Sequence, residues 1–362
     1  METLHTVFFA DSRNLGMVGD GSVDLVVTSP PYPMIEMWDP AFSAMAGGIG
    51  EALAGGAGDA AFEMMHAELD KVWRELARVT KNGAFVCVNI GDATRTLGGA
   101  FQLYSNHSRV ILAFKKAGFT TLPLVLWRKQ TNAPNKFMGS GMLPAGAYVT
   151  LEHEYILIFR KGGKRLFPGG EAKTRRMQSA FFWEERNTWF SDVWDFKGIR
   201  QNLDRPDLRR RSAAFPFELA WRLVNMYSLR EDLVLDPFAG TGTTLRAAAA
   251  AGRNSIGVEI DRNFGDLVFS GAEDLKQEAN RMLEARLRSH AGFLASRLAR
   301  GAGAKHSNAP HGFPVVTRQE TGLRVQAVEA VTKEGEGTLR VRYRDFEWPL
   351  AKTGTTDHAD ED

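Results

Sequence analysis

The chain predicts an α/β fold, an open and mostly parallel sheet of seven strands with helices on both faces. Three observations carry that expectation. Leu235 to Thr244 reads Leu-Asp-Pro-Phe-Ala-Gly-Thr-Gly-Thr-Thr, and the alanine-rich run Leu245 to Ala251 behind it stops at Gly252. A further apolar run, Ser255 to Ile260, carries Glu259 and Asp261 at its far end. Strand, glycine turn, helix, strand and terminal acid is the unit by which open α/β sheets hold a ribose-bearing ligand. Val23 to Thr28 is a second short apolar strand, and it runs straight into Ser29-Pro30-Pro31-Tyr32. Between these two units, apolar runs alternate with stretches of helical period. Five strands are expected in the N-terminal half and two around the glycine turn.

Composition bounds the possibilities. A chain of 362 residues, 44% hydrophobic and 24% charged, can bury a full core. No apolar run approaches the length of a membrane span, and Met1 to Ala10 lacks the parts of a signal peptide, so a cytoplasmic protein with no membrane partner is expected. The single cysteine excludes an internal disulfide framework and a cysteine metal cluster. Cys87 sits within Ala84-Phe-Val-Cys-Val-Asn-Ile90 and reads as a buried strand residue, which counts against thiolate chemistry.

Taken in order, Thr6 to Ala10 reads as a strand with Asp11 at its end, a position where Asp11 or Ser12 could simply cap a turn. Pro40 to Asp59, rich in Gly and Ala, reads as a mobile loop over the site. Phe62, Met65, Leu69, Val72, Trp73 and Leu76 stand at helical spacing, and Lys81-Asn82-Gly83 ends that helix. Ala84 to Ile90 is a buried strand ending in Gly91-Asp92, which by placement edges the ligand pocket. Tyr104 to Ala117 is amphipathic and stops at Gly118, and Thr121 to Trp127 and Glu154 to Arg160 are further strands. No second histidine stands at ligand spacing from His153, so a structural hydrogen bond is its expected role and no metal is predicted. Pro216 to Ser228 is a helix with proline at its start. Ala272 to Arg300 is a long charged helix that packs on the body, with a homodimer contact as the second reading. Glu334-Gly-Glu-Gly337 joins two strands of a hairpin.

The net charge is +2, but Arg160 to Ser212 holds 14 Lys/Arg against 7 Asp/Glu, interleaved with Phe181, Phe182, Trp183, Trp189, Phe190 and Trp194. Arginine with aromatics suits a nucleic-acid surface. On their own, such aromatics equally form a small core.

The turn itself is informative. No Gly-Lys-Ser/Thr ending follows Gly240-Thr241-Gly242-Thr243, so a phosphate-cradling loop is disfavoured. Asp236 and Phe238 suit a cationic ligand instead, with Ala239 and the glycines allowing close backbone approach. Two consecutive prolines stiffen Ser29-Pro30-Pro31-Tyr32 and leave it rich in acceptors.

Together, these two segments resemble the amino-methylating DNA methyltransferases that use S-adenosylmethionine, whose signature is Asp/Asn/Ser-Pro-Pro-Tyr/Phe/Trp. With the catalytic segment early and the glycine turn late, the order is similar to that of the permuted β class, over residues 5 to 275. The resemblance implies a Rossmann-like methyltransferase fold and S-adenosylmethionine as cofactor. Ser29, Pro30, Pro31 and Tyr32 become the catalytic residues, with Tyr32 stacking on a base flipped out of duplex DNA. Asp236 to Thr243 and Glu259 bind the cofactor, with Asp11 near its adenine and Phe215 and Pro216 by its methionine moiety. Serine in first place, after Thr28, points to cytosine N4, with adenine N6 as the alternative. A non-catalytic DNA-binding relative, or an RNA or protein methyltransferase, are rival readings. A companion restriction endonuclease is the implied partner. Lys136, Arg175, Arg176, Arg209, Arg210 and Arg211 are the candidate phosphate contacts. The implied organisation is a catalytic half (1–160), a basic target-recognition region (161–212), a cofactor half (213–275), a helix (276–300), a small β appendage (313–350) and an acidic disordered tail (351–362).

Overall fold

The computed structural model describes residues 1–129, 138–198, 215–268 and 272–347. One sheet dominates. Its strands are β1 (Glu2–Phe9), β2 (Val23–Thr28), β3 (Thr80–Ile90), β4 (Phe119–Thr121), β5 (Val125–Arg128), β6 (His153–Lys161), β7 (Val193–Asp195), β8 (Leu233–Asp236), β9 (Asn254–Glu259), β10 (Gln326–Lys333) and β11 (Thr338–Asp345). Their spatial order is β7-β5-β6-β3-β2-β8-β9-β1-β11-β10, with β4 also paired to β6. The central run β3-β2-β8-β9-β1 is parallel throughout.

Among the described residues the sheet thus has eleven strands where seven were expected, for three local reasons. Pro123, which lacks a donor for the ladder, divides Thr121–Trp127 into β4 and β5. Strand β7 has three residues, too few to show a period. The expected hairpin, β10 and β11, is built into the main sheet through antiparallel pairing of β11 with β1.

The helices are α1 (Asp39–Met45), α2 (Gly48–Ala54), α3 (Gly58–Val79), α4 (Asn106–Lys116), α5 (Gly169–Gln178), α6 (Trp183–Trp189), α7 (Phe217–Tyr227), α8 (Thr243–Ala250), the single turn α9 (Gly265–Val268) and α10 (Ala272–Ala299). Strand β2 shows how they cover the sheet. Alternate side chains face opposite ways, so Val26 joins the core under α3 and α4 while Leu25 and Val27 join the core under α7 and α8. On α3, Met65, Leu69, Val72, Trp73 and Leu76 are all at most 2% exposed, each contributing about 1.5–3 kcal/mol by burial. Pro40 to Asp59 is no open loop. Phe42 and Ile49, both fully buried, seat α1 and α2 in the main core.

The hairpin is integral to the same core. Val328, Leu339, Val341 and Tyr343 pack with Leu275 and Ala279 of α10 and Ala249 of α8, and the Tyr343 hydroxyl donates to the Ala249 carbonyl at 2.6 Å. Arg340 and Arg342 of β11 pair with Glu2, Glu334 and Glu329 on the outer surface. No described helix is long and apolar enough to cross a membrane.

Leu339→Ala is expected to cost about 2–4 kcal/mol in one cooperative denaturant transition of the whole chain. A separate early transition, with the main one unmoved, would show instead that the hairpin folds independently.

Candidate functional site

Parallel pairing of β2 with β8 sets Leu25 beside Val234 and Val26 beside Leu235. The carboxyl ends of both strands therefore finish side by side, and Ser29-Pro30-Pro31 and the glycine turn emerge there together. The Thr28 hydroxyl donates to Asp236 Oδ1 at 2.7 Å across that seam, between two buried side chains. Thr244 Oγ1 donates to the Val27 carbonyl at 3.2 Å, and the Ser12 hydroxyl donates to the Pro237 carbonyl.

Around this seam lies a cleft of about 430 Å³. Ser29, Pro30 and Pro31 form one side, and Asp236, Phe238, Ala239, Gly240, Thr241 and Thr243 another. Asp11, Phe215 and Glu259 also line it. The geometry brings together the two distant motifs and most of the residues expected to bind cofactor.

Two expected residues stand behind the wall. Pro216 is the N-cap of α7, and Gly242 is the N-cap of α8, with a φ of 80°. A Cβ on Gly242 would meet Val268 Cγ1 at 2.8 Å, so glycine there serves packing of the turn. Glu259 Oε2 accepts from Gly240 N at 2.8 Å and Oε1 from Asp261 N at 2.9 Å, which fixes the carboxylate and leaves further lone pairs for a ligand. Asp11 faces the cleft but is clamped by Arg13, at 2.6 Å, and Arg13 also reaches Glu68 at 2.6 Å. The hydrogen bond from Arg13 holds the Asp11 carboxyl below its usual range.

The second wall of the cleft is formed by Met37, Trp38, Pro40, Ala41, Ala44 and Met45, with Glu68, Leu69 and Val72 of α3; Pro40 to Asp59 does lie over the site, but its start is helical where a loop was expected. Its only signal was apolar spacing hidden in a Gly/Ala-rich stretch. Asp92 does not edge the cleft: its side chain accepts from the backbone and Nδ1 of His107, at the start of α4. His153 packs edge-on to Tyr155, and no metal-holding cluster occurs among the described residues.

Tyr32 has surroundings unlike an open stacking platform. It is 7% exposed and absent from the cleft lining, and its hydroxyl meets Ser29 Oγ at 3.0 Å, Asn89 Nδ2 at 2.8 Å and Glu154 Oε2 at 3.0 Å. Burial, with Glu154 nearby, pushes its pKa well above the usual phenol value.

The candidate phosphate contacts divide. Lys136, Arg209, Arg210 and Arg211 lie outside the described residues. Arg175 lies 3.7 Å from Asp232, which immediately precedes β8, and Arg165 pairs bidentately with that same Asp232. Arg176, next to it on α5, covers the Phe167 ring at 4.4 Å. Both arginines therefore sit at the amino ends of the strands, opposite Ser29. The aromatics of the same region divide: Trp189 and Trp194 lie under the sheet and Phe182 packs with Phe313, while Trp183 and Phe190 are exposed.

The electrostatics select a ligand. Asp236 is 2% exposed, and no cationic side chain among the described residues forms an ion pair with it. Burial raises its pKa to about 6, against the opposing hydrogen bonds from Thr28 and the Phe238 amide. Burial likewise raises Glu259. Two acids without protein counter-ions in a mostly apolar cleft fit a cationic ligand with hydroxyl groups, and the volume lies within the range of cofactor sites.

The sheet and cleft define a Rossmann-like cofactor-binding protein. The chain belongs to the N6/N4 DNA methylase family, which matches it over residues 23–270. It is 51% identical over 327 residues to the type II methyltransferase M.MthZI of Methanothermobacter thermautotrophicus, covering 90% of this chain and 91% of that one. It is 46% identical over 277 residues to the type II methyltransferase M.MjaI of Methanocaldococcus jannaschii, covering 74% and 90%. Among solved structures it resembles a Thermus thermophilus protein, the putative DNA modification methylase TTHA0409 complexed with S-adenosyl-L-methionine, with a TM-score of 0.58, 32% identity and coverage of 76% and 94%. The PvuII DNA methyltransferase (cytosine-N4-specific) shares the fold, with a TM-score of 0.50 at 16% identity. S-adenosylmethionine is thus the cofactor, and its sulfonium and amino group supply the positive charge that the cleft fits.

Affinity for S-adenosylmethionine is expected to fall as pH drops through about 6, where Asp236 becomes protonated. The sign for stability is opposite. A carboxyl raised on folding contributes stability below its unfolded pKa that is lost as pH rises through about 6, and a bound cation offsets this loss. Calorimetric titration of wild type and Asp236→Asn from pH 5 to 8 checks both. The variant should bind more weakly at pH 7.5 and lose most of the pH dependence; an unchanged profile would remove Asp236 from this role.

Proposed function

We propose that this protein transfers the methyl group of S-adenosylmethionine to the exocyclic N4 of cytosine in duplex DNA. We further propose that it is the modification partner of a restriction endonuclease acting on the same site. The observation that carries the reading is the shared cleft: Ser29 and Pro30 face the same space as the glycine turn and Glu259.

The chemistry asks for that arrangement. The cofactor supplies a methyl group already activated on sulfur. What the protein must provide is an amine with an available lone pair, held in line. An exocyclic base amine has its lone pair drawn into the ring. Acceptors aimed at its hydrogens favour the pyramidal nitrogen that reacts, and the Ser29 hydroxyl oxygen and Pro30 carbonyl are such acceptors. Two prolines hold them stiffly, so positioning is the main source of rate. The target base leaves the duplex to reach the cleft. Asp11 and Arg13 are assigned to the adenine end, Glu259 to the ribose and Phe215 to the methionine moiety.

Serine at the first signature position, after Thr28, favours cytosine N4. The type II role is taken from M.MthZI and M.MjaI, whose names carry it. Phosphate contacts are assigned to Lys136 and to Arg209, Arg210 and Arg211, all outside the described residues. Adenine N6 is the second reading, because the family takes in both amines.

Tritiated S-adenosylmethionine with unmethylated plasmid DNA should give labelled DNA, and nucleoside analysis should show N4-methylcytosine. Ser29→Ala is expected to lower the rate about 10²-fold. N6-methyladenine as the product would reverse the base assignment, and no label in DNA would sink the reading.

A further inference from the structure

Beneath the signature loop lies a hydrogen-bond chain. Glu154, at the start of β6, has a side chain only 13% exposed and receives Lys129 Nζ on Oε1. Its Oε2 accepts from Asn89 Nδ2 at 2.6 Å and from the Tyr32 hydroxyl at 3.0 Å. The same Asn89 Nδ2 lies 2.8 Å from the Tyr32 oxygen, and Ser29 Oγ lies 3.0 Å from it on another side. Ser29 lines the cleft and Tyr32 does not.

Counting protons fixes the direction of every bond in this chain. Asn89 must present its amide nitrogen, because an amide oxygen 2.6 Å from a carboxylate oxygen would set acceptor against acceptor. A carboxylate held by an ammonium and an amide accepts only. The single Tyr32 proton therefore goes to Glu154, and burial, which raises the phenol pKa, keeps that proton in place. With its proton committed, the Tyr32 oxygen can only accept from its other neighbours. The Ser29 proton thus points inward to Tyr32, and the Ser29 lone pairs point toward the cleft.

We propose that Glu154 and Tyr32 are positioning residues that turn Ser29 into a pure hydrogen-bond acceptor for the target amine. Without them the hydroxyl is free to rotate and to donate its proton to the amine lone pair, the polarity that blocks reaction. This rests on the reading of Ser29 given above and adds what sets its orientation. Lys129 reinforces the effect. In Glu154→Gln the ammonium holds the amide oxygen at the Oε1 position, so an N–H replaces the acceptor that took the Tyr32 proton and the direction of the Ser29–Tyr32 bond is no longer fixed.

The test is a mutant cycle on the full-length protein, read as the single-turnover rate of tritiated methyl transfer to unmethylated plasmid DNA. Cofactor affinity and melting temperature are measured alongside. Tyr32→Phe and Glu154→Gln are each expected to slow transfer by about 10²-fold while changing cofactor affinity by less than about twofold. Because Tyr32 acts through Ser29, Ser29→Ala/Tyr32→Phe should be no slower than Ser29→Ala alone. A merely structural Tyr32 would give losses that multiply, and that result overturns the proposal. Wild-type rates in both Tyr32→Phe and Glu154→Gln, beside a slow Ser29→Ala, would also overturn it and leave the role of Ser29 standing. A wild-type rate in Ser29→Ala would overturn the underlying reading instead. Should Glu154→Gln fail to fold, the Tyr32→Phe cycle decides alone.

Discussion

Thr28 and Asp236 stand 208 positions apart in the chain and 2.7 Å apart in space. Each is the last residue of its strand, and the two strands are parallel neighbours. The hydrogen bond between them gives the Ser29-Pro30-Pro31 segment and the glycine turn a common origin. Neither segment would know where the other was without that ladder, because a parallel pair carries no turn to set its register. The bond also has a cost. It holds a carboxylate where burial penalises charge, and the donors it receives from Thr28 and the Phe238 amide do not fully offset this, which is why the pKa stays high.

The two ends of the parallel strands differ in how they treat such acids. At the amino ends, Asp24 meets Lys81 at 2.7 Å, and Asp232 is clasped by Arg165 through both guanidinium nitrogens. Those acids are satisfied, and they close that side of the sheet. At the carboxyl ends, Asp236 and Glu259 rely on hydroxyl and backbone donors alone. The same residue type thus staples the chain at one end and waits for a cation at the other. This asymmetry also decides the fate of Arg175. Arg175 lies 3.7 Å from Asp232 and so joins the staple that Arg165 already makes.

How far the sequence could be read follows from what each signal depends on. The strands and glycine turn around Asp236 were legible because local periodicity and turn chemistry determine them, as was the Phe217–Tyr227 helix behind its proline. The meeting of Ser29 with Gly240 could be anticipated only through family resemblance. Nothing local in either segment encodes the register of β2 on β8. The α1–α2 wall was illegible because glycine and alanine mask the two buried anchors, Phe42 and Ile49, that seat it. Net charge did not show that Arg175 lies 3.7 Å from Asp232, since a count of residues does not say which acids lie across the fold. The chain from Glu154 to Tyr32 joins residues 122 positions apart, and no spacing rule reaches that far.

The burial of Tyr32 bears on how the site can work. Gly91 leaves just enough room for its ring, since a Cβ there would meet ring carbon at 3.1 Å. Just past Tyr32, Met34 adopts a φ of 68° while almost wholly buried, a left-handed conformation that a methionine keeps only when its surroundings insist. A loop held by two prolines, a pinned tyrosine and a strained methionine has few alternative shapes. Its acceptors need not reorganise when a base arrives, which is where preorganised polar groups gain over water. The strain and the packing that enforces it belong to the fold as a whole, so the rigidity of Ser29 is in part a consequence of Tyr32, Met34 and Gly91, which do not line the cleft.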